Sequence, residues 1–213
     1  MAAKHPVSPT TRRTQRKLID ATRAEIARDG SFGAERVALR AGTSVATFYQ
    51  YFPSKRDALA AAFDDLMEDL DAFVAEQVQL EALVDEGLEG FSRGFVAAGV
   101  RFFSEHALLF RCALAELPGD RALRRVYRDQ ERRTLERIRQ FVERGQRTGL
   151  VRRGDPNTLA RGFLVLAQGL NNPLLLRGPD RAPVLRELAR GLYGFLAPDA
   201  SGAGGARKRS PRS

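Results

Sequence analysis

The sequence predicts an all-α protein of about nine helices, a small three-helix head followed by a larger helical body. Three observations carry that expectation. Apolar residues recur at spacings of three and four, and no run alternates β-branched or aromatic residues with polar ones. Pro53, Pro118, Pro156, Pro179, Pro183 and Pro198 fall where helical patterns start or stop. The 213 residues are 43% hydrophobic and 29% charged, the make-up of a globular chain able to bury a core without disulfides or metals.

The elements follow in order. Leu18, Ile19, Thr22 and Ile26 form one face of a first helix that Gly30 closes. A short helix over 34–41 leads to Gly42-Thr43-Ser44 and a second short helix over 45–52. Ser54-Lys55-Arg56-Asp57 has the spacing of a capping box, with Asp in the place of Glu. It opens a long fourth helix expected to reach the low 80s, with Leu59, Phe63, Leu66, Leu70, Phe73 and Val78 buried. An apolar helix over 84–103, a shorter one over 104–117 and an arginine-rich one over 120–148 come next. In the last of these, Asp129–Arg133, Arg132–Glu136 and Arg139–Glu143 lie four apart, as on a solvated face. Asp155 caps a helix over 156–176 that starts on Pro156 and carries Arg161 as its one charge. Both Leu159-Phe163-Leu166-Leu170 and Ala160-Leu164-Ala167 are apolar, so this helix needs cover on two sides. A last helix carries Leu185, Leu188, Leu192 and Phe195.

The charge is unevenly placed. Residues 1–17 hold five basic groups and no acid, and residues 201–213 hold four and no acid; these nine equal the whole net charge of +9. Basic ends on a neutral body suit a polyanionic partner such as DNA. No apolar stretch approaches the ~20 residues of a membrane span, and no signal-peptide core follows the basic N-terminus, so a cytoplasmic protein is expected. One cysteine, Cys112, and two histidines, His5 and His106, supply no metal set. No cofactor is implied. Ser104-Glu105-His106 are sequence neighbours without the arrangement of a catalytic triad, and no glycine-rich phosphate loop follows a strand, so no enzyme is expected.

Two short helices joined through Gly42-Thr43-Ser44 fit a helix-turn-helix, with Ser44 capping the second helix. In Val45-Ala46-Thr47-Phe48-Tyr49-Gln50-Tyr51-Phe52, Phe48 and Phe52 can pack inward while Val45, Ala46, Thr47, Tyr49 and Gln50 can point toward DNA. The run Ala41-Gly42-Thr43-Ser44-Val45-Ala46-Thr47-Phe48-Tyr49-Gln50-Tyr51-Phe52-Pro53-Ser54-Lys55-Arg56-Asp57-Ala58-Leu59 resembles the signature of the TetR family of transcriptional regulators. The resemblance covers residues 12 to about 60 and implies a DNA-binding head (12–58) and a ligand-binding, dimerising body (59–198), between a flexible basic arm (1–11) and tail (199–213). It implies a repressor that binds double-stranded DNA at a roughly palindromic operator as a homodimer and leaves it when an apolar small molecule binds. Carried over by position, Thr47, Tyr49 and Lys55 would hold phosphates, and Ser44, Val45, Ala46 and Gln50 would lie nearest base edges. Thr43, Tyr51 and the basic Arg12, Arg13 and Arg16 complete the candidate DNA set. The sequence departs from the family at Glu25, where an apolar residue of the first helix is usual and which reads as a partly exposed edge, and in a link from Gly30 to Val37 about two residues short with Gly33 where a Ser or Thr cap is usual. The second short helix has no Arg or Lys, so the bidentate guanine contact is unavailable from it, and arm contacts and DNA shape would supply much of the discrimination.

The family's ligand region coincides here with Phe91, Phe95, Phe102, Phe103 and Phe110, with Phe141 and Phe163 on neighbouring helices, although an aromatic stripe at this spacing is more often plain core. Gln168 and Asn171 are candidates to orient the ligand, although Asn171-Asn172-Pro173 also has the composition of a helix-breaking turn. Leu159, Phe163, Leu166, Ala167, Leu170, Leu188, Leu192 and Phe195 form the candidate dimer interface, with Gly162, Ala167 and Gly169 permitting close approach. The alternative from another class is a helical ligand-binding or protein-interaction module without sequence-specific DNA binding.

Overall fold

The computed structural model describes residues 9–177 and 181–198, so positions 1–8 and 199–213 of the expected basic arm and tail lie outside the described residues. The described chain is helical throughout: α1 (Pro9–Asp29), α2 (Ala34–Ala41), α3 (Val45–Tyr51), α4 (Lys55–Gln77), α5 (Leu80–Glu105), α6 (Ala107–Glu116), α7 (Arg121–Arg147), α8 (Pro156–Gln168), α9 (Pro173–Arg177) and α10 (Ala182–Leu196). Arg12 and Arg13 therefore stand on the first turns of a helix.

Contacts divide the chain into two compact units. One comprises the described residues up to Phe73 together with Glu105–Arg132; the other comprises Val74–Ser104 and the described residues from Arg133 onward. The grouping does not follow chain order, because α6 packs with the head helices: Phe110 meets Phe63 edge to face, their ring centroids 6.1 Å apart, and the Cys112 thiol donates to the Gly30 carbonyl at 3.0 Å.

In the first unit, Leu18, Ala21, Val37, Ala38, Phe48 and Phe52 form the centre of the head. Leu18, Val37, Phe48 and Phe52 each contribute roughly 1.5–3 kcal/mol by leaving water and the two alanines less, and together they fix the relative placement of α1, α2 and α3. Gly30 and Gly42 end α1 and α2 with φ of 68° and 67°, a region costly for residues with a Cβ. Glu25 is not an edge residue. It is 2% exposed on the inner face of α1, and its charge is met by arginines from α1 and α2.

In the second unit, Phe91, Phe95, Phe141 and Phe163 stack and tilt against one another with centroid separations of 5.0–6.3 Å. Three expectations need correction. The long fourth helix stops at Gln77, and α5 starts at Leu80 with Gly87 breaking it at φ 68°. The helix expected over 156–176 breaks at Gly169: a 3-10 turn (Gly169–Asn171) follows, Asn172 is extended, and its side-chain oxygen accepts from the Leu174 N–H at 3.0 Å. Asn171-Asn172-Pro173 is thus a helix break, because Pro173 can start a helix but not continue one. Finally, the close approach at Gly162 is made within the chain, where the Phe195 ring of α10 lies so near that a Cβ would overlap it.

Candidate nucleic-acid interface

The α2–α3 pair is a helix-turn-helix, built as the spacing predicts. Gly42 turns the chain, and its N–H and that of Thr43 close back onto the Leu39 and Ala38 carbonyls. Ser44 is extended, and its Oγ accepts from the Thr47 N–H at 3.0 Å, satisfying a donor that the first turn of α3 leaves open. The Ser44 and Thr47 hydroxyls also bond one another at 2.9 Å. Phe48, fully buried, and Phe52 point into the head with ring centroids 5.6 Å apart.

With the inner face so fixed, the outer face is determined. Ala46, Tyr49 and Gln50 are exposed, Tyr49 to 46%, and its ring meets Phe48 edge-on at 5.2 Å, which steadies the phenol. Thr43 and Thr47 are half-buried beside them. Val45 and Tyr51 behave differently: both are half-buried and packed against the head core, so they support the outward face more than they extend it. Lys55 follows the predicted capping box, in which the Ser54 N–H and hydroxyl both donate to Asp57 Oδ2 at 2.9 and 2.7 Å. The Lys55 ammonium sits 5.5 Å from the centre of the Phe32 ring. Gly33, where a capping side chain was expected to be missing, has no side-chain cap bond.

Charges of the head fall into three groups. Arg12, Arg13 and Lys17 are exposed on the first half of α1. Arg16 is exposed as well, but its guanidinium reaches Asp20 on its own helix and Asp65 on α4. Arg23 joins the same Asp65 and also Asp69 at 2.6 Å, so a buried carboxylate of α4 is clasped by two arginines of α1. Arg16, a candidate for the DNA set, thus also takes part in a clasp between helices.

The third group surrounds Glu25. Its Oε1 accepts from Arg40 Nε at 2.8 Å, and its Oε2 faces Arg28 Nη2 at 3.0 Å and Arg36 Nε at 3.2 Å. Arg28 and Arg36 also share Asp29 and hold its carboxyl down at about 2. Neither cluster was found by sequence reasoning. A signal existed in Arg36 and Arg40, like charges one turn apart that repel unless an acid lies between them, but which acid answers them is a tertiary fact.

The candidate ligand residues do not converge. Phe91, Phe95, Phe141 and Phe163 make one cluster; Phe102 and Phe103 meet each other edge to face at 5.7 Å; Phe110 lies in the other unit against Phe63. Gln168 is exposed, and Asn171 sits in the 3-10 turn. Phe95 and Phe163 border an apolar cavity of about 20 Å³, completed by Val96, Leu166, Ala167, Leu170, Leu188 and Leu192, which has room for about one water. The candidate dimer residues divide too. Leu159, Phe163, Leu170 and Leu192 are buried within their own chain, and Ala167, Leu188 and Phe195 are half-buried. The outward face of α8 and α10 presents Val165 (66% exposed), Leu166, Val184 and Tyr193, with Gly169, Gly191 and Gly194, where a Cβ would meet nothing.

Among the described residues, no helix is long and apolar enough to cross a membrane, and no group of His, Cys, Asp and Glu is arranged to hold a metal. Residues 18–62 match the family model described as bacterial regulatory proteins, tetR family. No curated protein matches the chain. Solved structures do. A TetR transcription regulator from Haloarcula marismortui superimposes with a TM-score of 0.69 at 16% identity, covering 86% of this chain and 98% of that one. A TetR-family transcriptional regulator from Mesorhizobium loti gives 0.68 at 22%, covering 88% and 97%. A transcriptional regulator from Saccharomonospora viridis, solved in complex with choline, gives 0.64 at 24%, covering 85% and 94%. At such identities the likeness to the solved structures is one of fold, and the match to the tetR family model is confined to residues 18–62, the segment that contains the turn, the capped third helix and the start of α4.

Proposed function

We propose that the protein is a transcriptional repressor that grips double-stranded DNA with α3 and is released by a small molecule bound in its body. The observation that carries this reading is the α3 surface: Ala46, Tyr49 and Gln50 project from a helix whose opposite face is locked by Phe48 and Phe52. Such a helix enters a major groove without reorganising. Thr47, Tyr49 and Lys55 hold phosphates, Ser44, Ala46 and Gln50 approach base edges, and Arg12 and Arg13 on the first turns of α1 reach the backbone beside them. Thr43 contributes at the turn, and Val45 and Tyr51 act from beneath.

The exposed apolar face of α8 and α10 supports a homodimer, since Val165, Leu166, Val184 and Tyr193 lose water when covered and the three glycines let two helices approach closely. A two-fold dimer then sets two heads on half-sites of a roughly palindromic operator, about one helical turn apart. The effector is a small molecule of the body. The closed stacking of Phe91, Phe95, Phe141 and Phe163 means that an effector entering this cluster displaces rings, and a ring face suits an apolar or quaternary ammonium compound; choline, bound in the Saccharomonospora viridis relative, is a direct probe. Because α4 has residues in both units, a body state preferred by the ligand reaches the head, with a coupling equal to the ligand's difference in affinity between states.

The test is fluorescence anisotropy on DNA flanking the protein's own gene, against excess random duplex, at two salt concentrations, with Tyr49→Ala in parallel. Binding that survives competitor and weakens with salt and with the substitution is the expected result. Equal affinity for random duplex, unchanged by Tyr49→Ala, would leave a ligand-binding helical module without sequence-specific DNA binding.

A further inference from the structure

We propose that Phe32 is a positioning residue for the DNA contact, acting as a platform that holds the Lys55 ammonium toward a phosphate; this rests on the DNA-binding reading above. The link between α1 and α2 is only Ser31-Phe32-Gly33 after the left-handed Gly30. It is pinned at its start, where Gly30 N–H closes onto the Ile26 carbonyl at 2.7 Å and Arg36, itself bound to Asp29, donates to the Ser31 carbonyl at 3.5 Å, and at its end, where the Gly33 carbonyl accepts from the Val37 N–H at 3.0 Å. The half-buried Phe32 ring packs against the core of the head and is therefore held on one side. Lys55 Nζ lies over the ring, 5.5 Å from its centroid.

Lys55 stands at the first position of α4, and its neighbours leave it little else to hold. The adjacent carboxylate, Asp57, is taken by the Ser54 N–H and hydroxyl. A cation over a ring face keeps its outward N–H bonds free, so the ring restricts the long lysine stem without neutralising the charge. A flexible ammonium loses rotamer entropy when it grips a phosphate; one already resting on a fixed ring loses less. The same head lacks a capping side chain at Gly33, so a contact that a cap hydroxyl could make falls to other donors at this corner. Lys55 on its platform is the cation placed to supply it.

A double-substitution cycle tests the inference. Phe32→Leu should weaken binding to the flanking DNA about three-fold, the scale of an exposed cation–π contact, while Phe32→Tyr and Phe32→Trp keep wild-type affinity. Lys55→Gln should lower the salt slope by about 0.9, one phosphate's share. In the Lys55→Gln background, Phe32→Leu should cost nothing further. A readout without DNA accompanies these: in the free protein the Lys55 ε-methylene protons should be shifted upfield by the ring, and Phe32→Leu should abolish the shift. A Phe32→Leu loss that persists without Lys55, or a missing upfield shift, overturns the platform, because Phe32 would then act only through the fold. Thermal unfolding of each variant identifies that case. Failure of the DNA-binding reading is distinguishable: wild type then prefers no sequence and Tyr49→Ala changes nothing, even where the upfield shift is present.

Discussion

Replacing Glu25 by Gln should destabilise the head more than any exposed charge change, and the structure supplies the magnitude. The Glu25 side chain is 3% exposed and meets three arginines within 3.2 Å, whereas those arginines are 43–51% exposed. Removing one partner of a fully buried ion pair costs about 3–5 kcal/mol. Here the orphaned guanidiniums can turn back to water, which lowers the figure, but the glutamine amide must then present N–H groups to N–H donors in a closed site. An intermediate cost of about 2 kcal/mol follows from those limits. For a chain of this length that corresponds to a fall in Tm of about 4–8 °C. The assay is thermal unfolding followed by circular dichroism, run in low and in 1 M salt. Because Glu25 is shielded from solvent, most of the difference between wild type and variant should survive the high salt. A Tm within 1 °C of wild type in low salt would falsify the reasoning, since it would mean that the desolvated carboxylate contributes nothing to holding α2 on α1.

Other outcomes follow from the same geometry. Ser44→Ala removes the α3 cap and should cost about 1 kcal/mol of stability, with Ser44→Gly costing only a few tenths, measured by urea titration. Gly162→Ala gains helix propensity but forces a methyl group into the Phe195 ring, so a net loss of about 1–2 kcal/mol is expected; a Tm above wild type would show that the ring moves freely. His106 is pushed below its ordinary value, chiefly by burial and then by the nearby Arg23 charge, against the opposing pull of Asp69 and Glu105. The unfolded chain therefore takes up this proton first as pH falls. The stability due to neutral His106 is complete above about 6.5, declines as pH drops through it, and levels off below the folded value. Urea midpoints from pH 8 to 5 should show this decline in wild type and lose it in His106→Gln; identical profiles would refute the assignment.

What the sequence by itself determined is what depends on local periodicity and on turn chemistry. The all-α class, the α2–α3 turn with its Ser44 cap, the inward Phe48 and Phe52, the capping box at Ser54 and the Asp155 cap are set by residues within four positions of one another, so a linear reading finds them. Only the tertiary structure decided which distant groups answer which. Glu25 looked like an edge because two of its three arginines, 11 and 15 residues away, meet it only when α2 folds onto α1. Arg16 entered the candidate DNA set without its α4 partner because Asp65 is 49 residues distant. The phenylalanines of α5 and α6 read as one aromatic stripe, yet Phe110 and Phe91 serve different cores, since a reversal between helices can divide an apolar run between two units. The face of α8 that read as a partner surface is half claimed by α10 for the same reason: an apolar stripe states that it must be covered, and what covers it depends on how the chain returns.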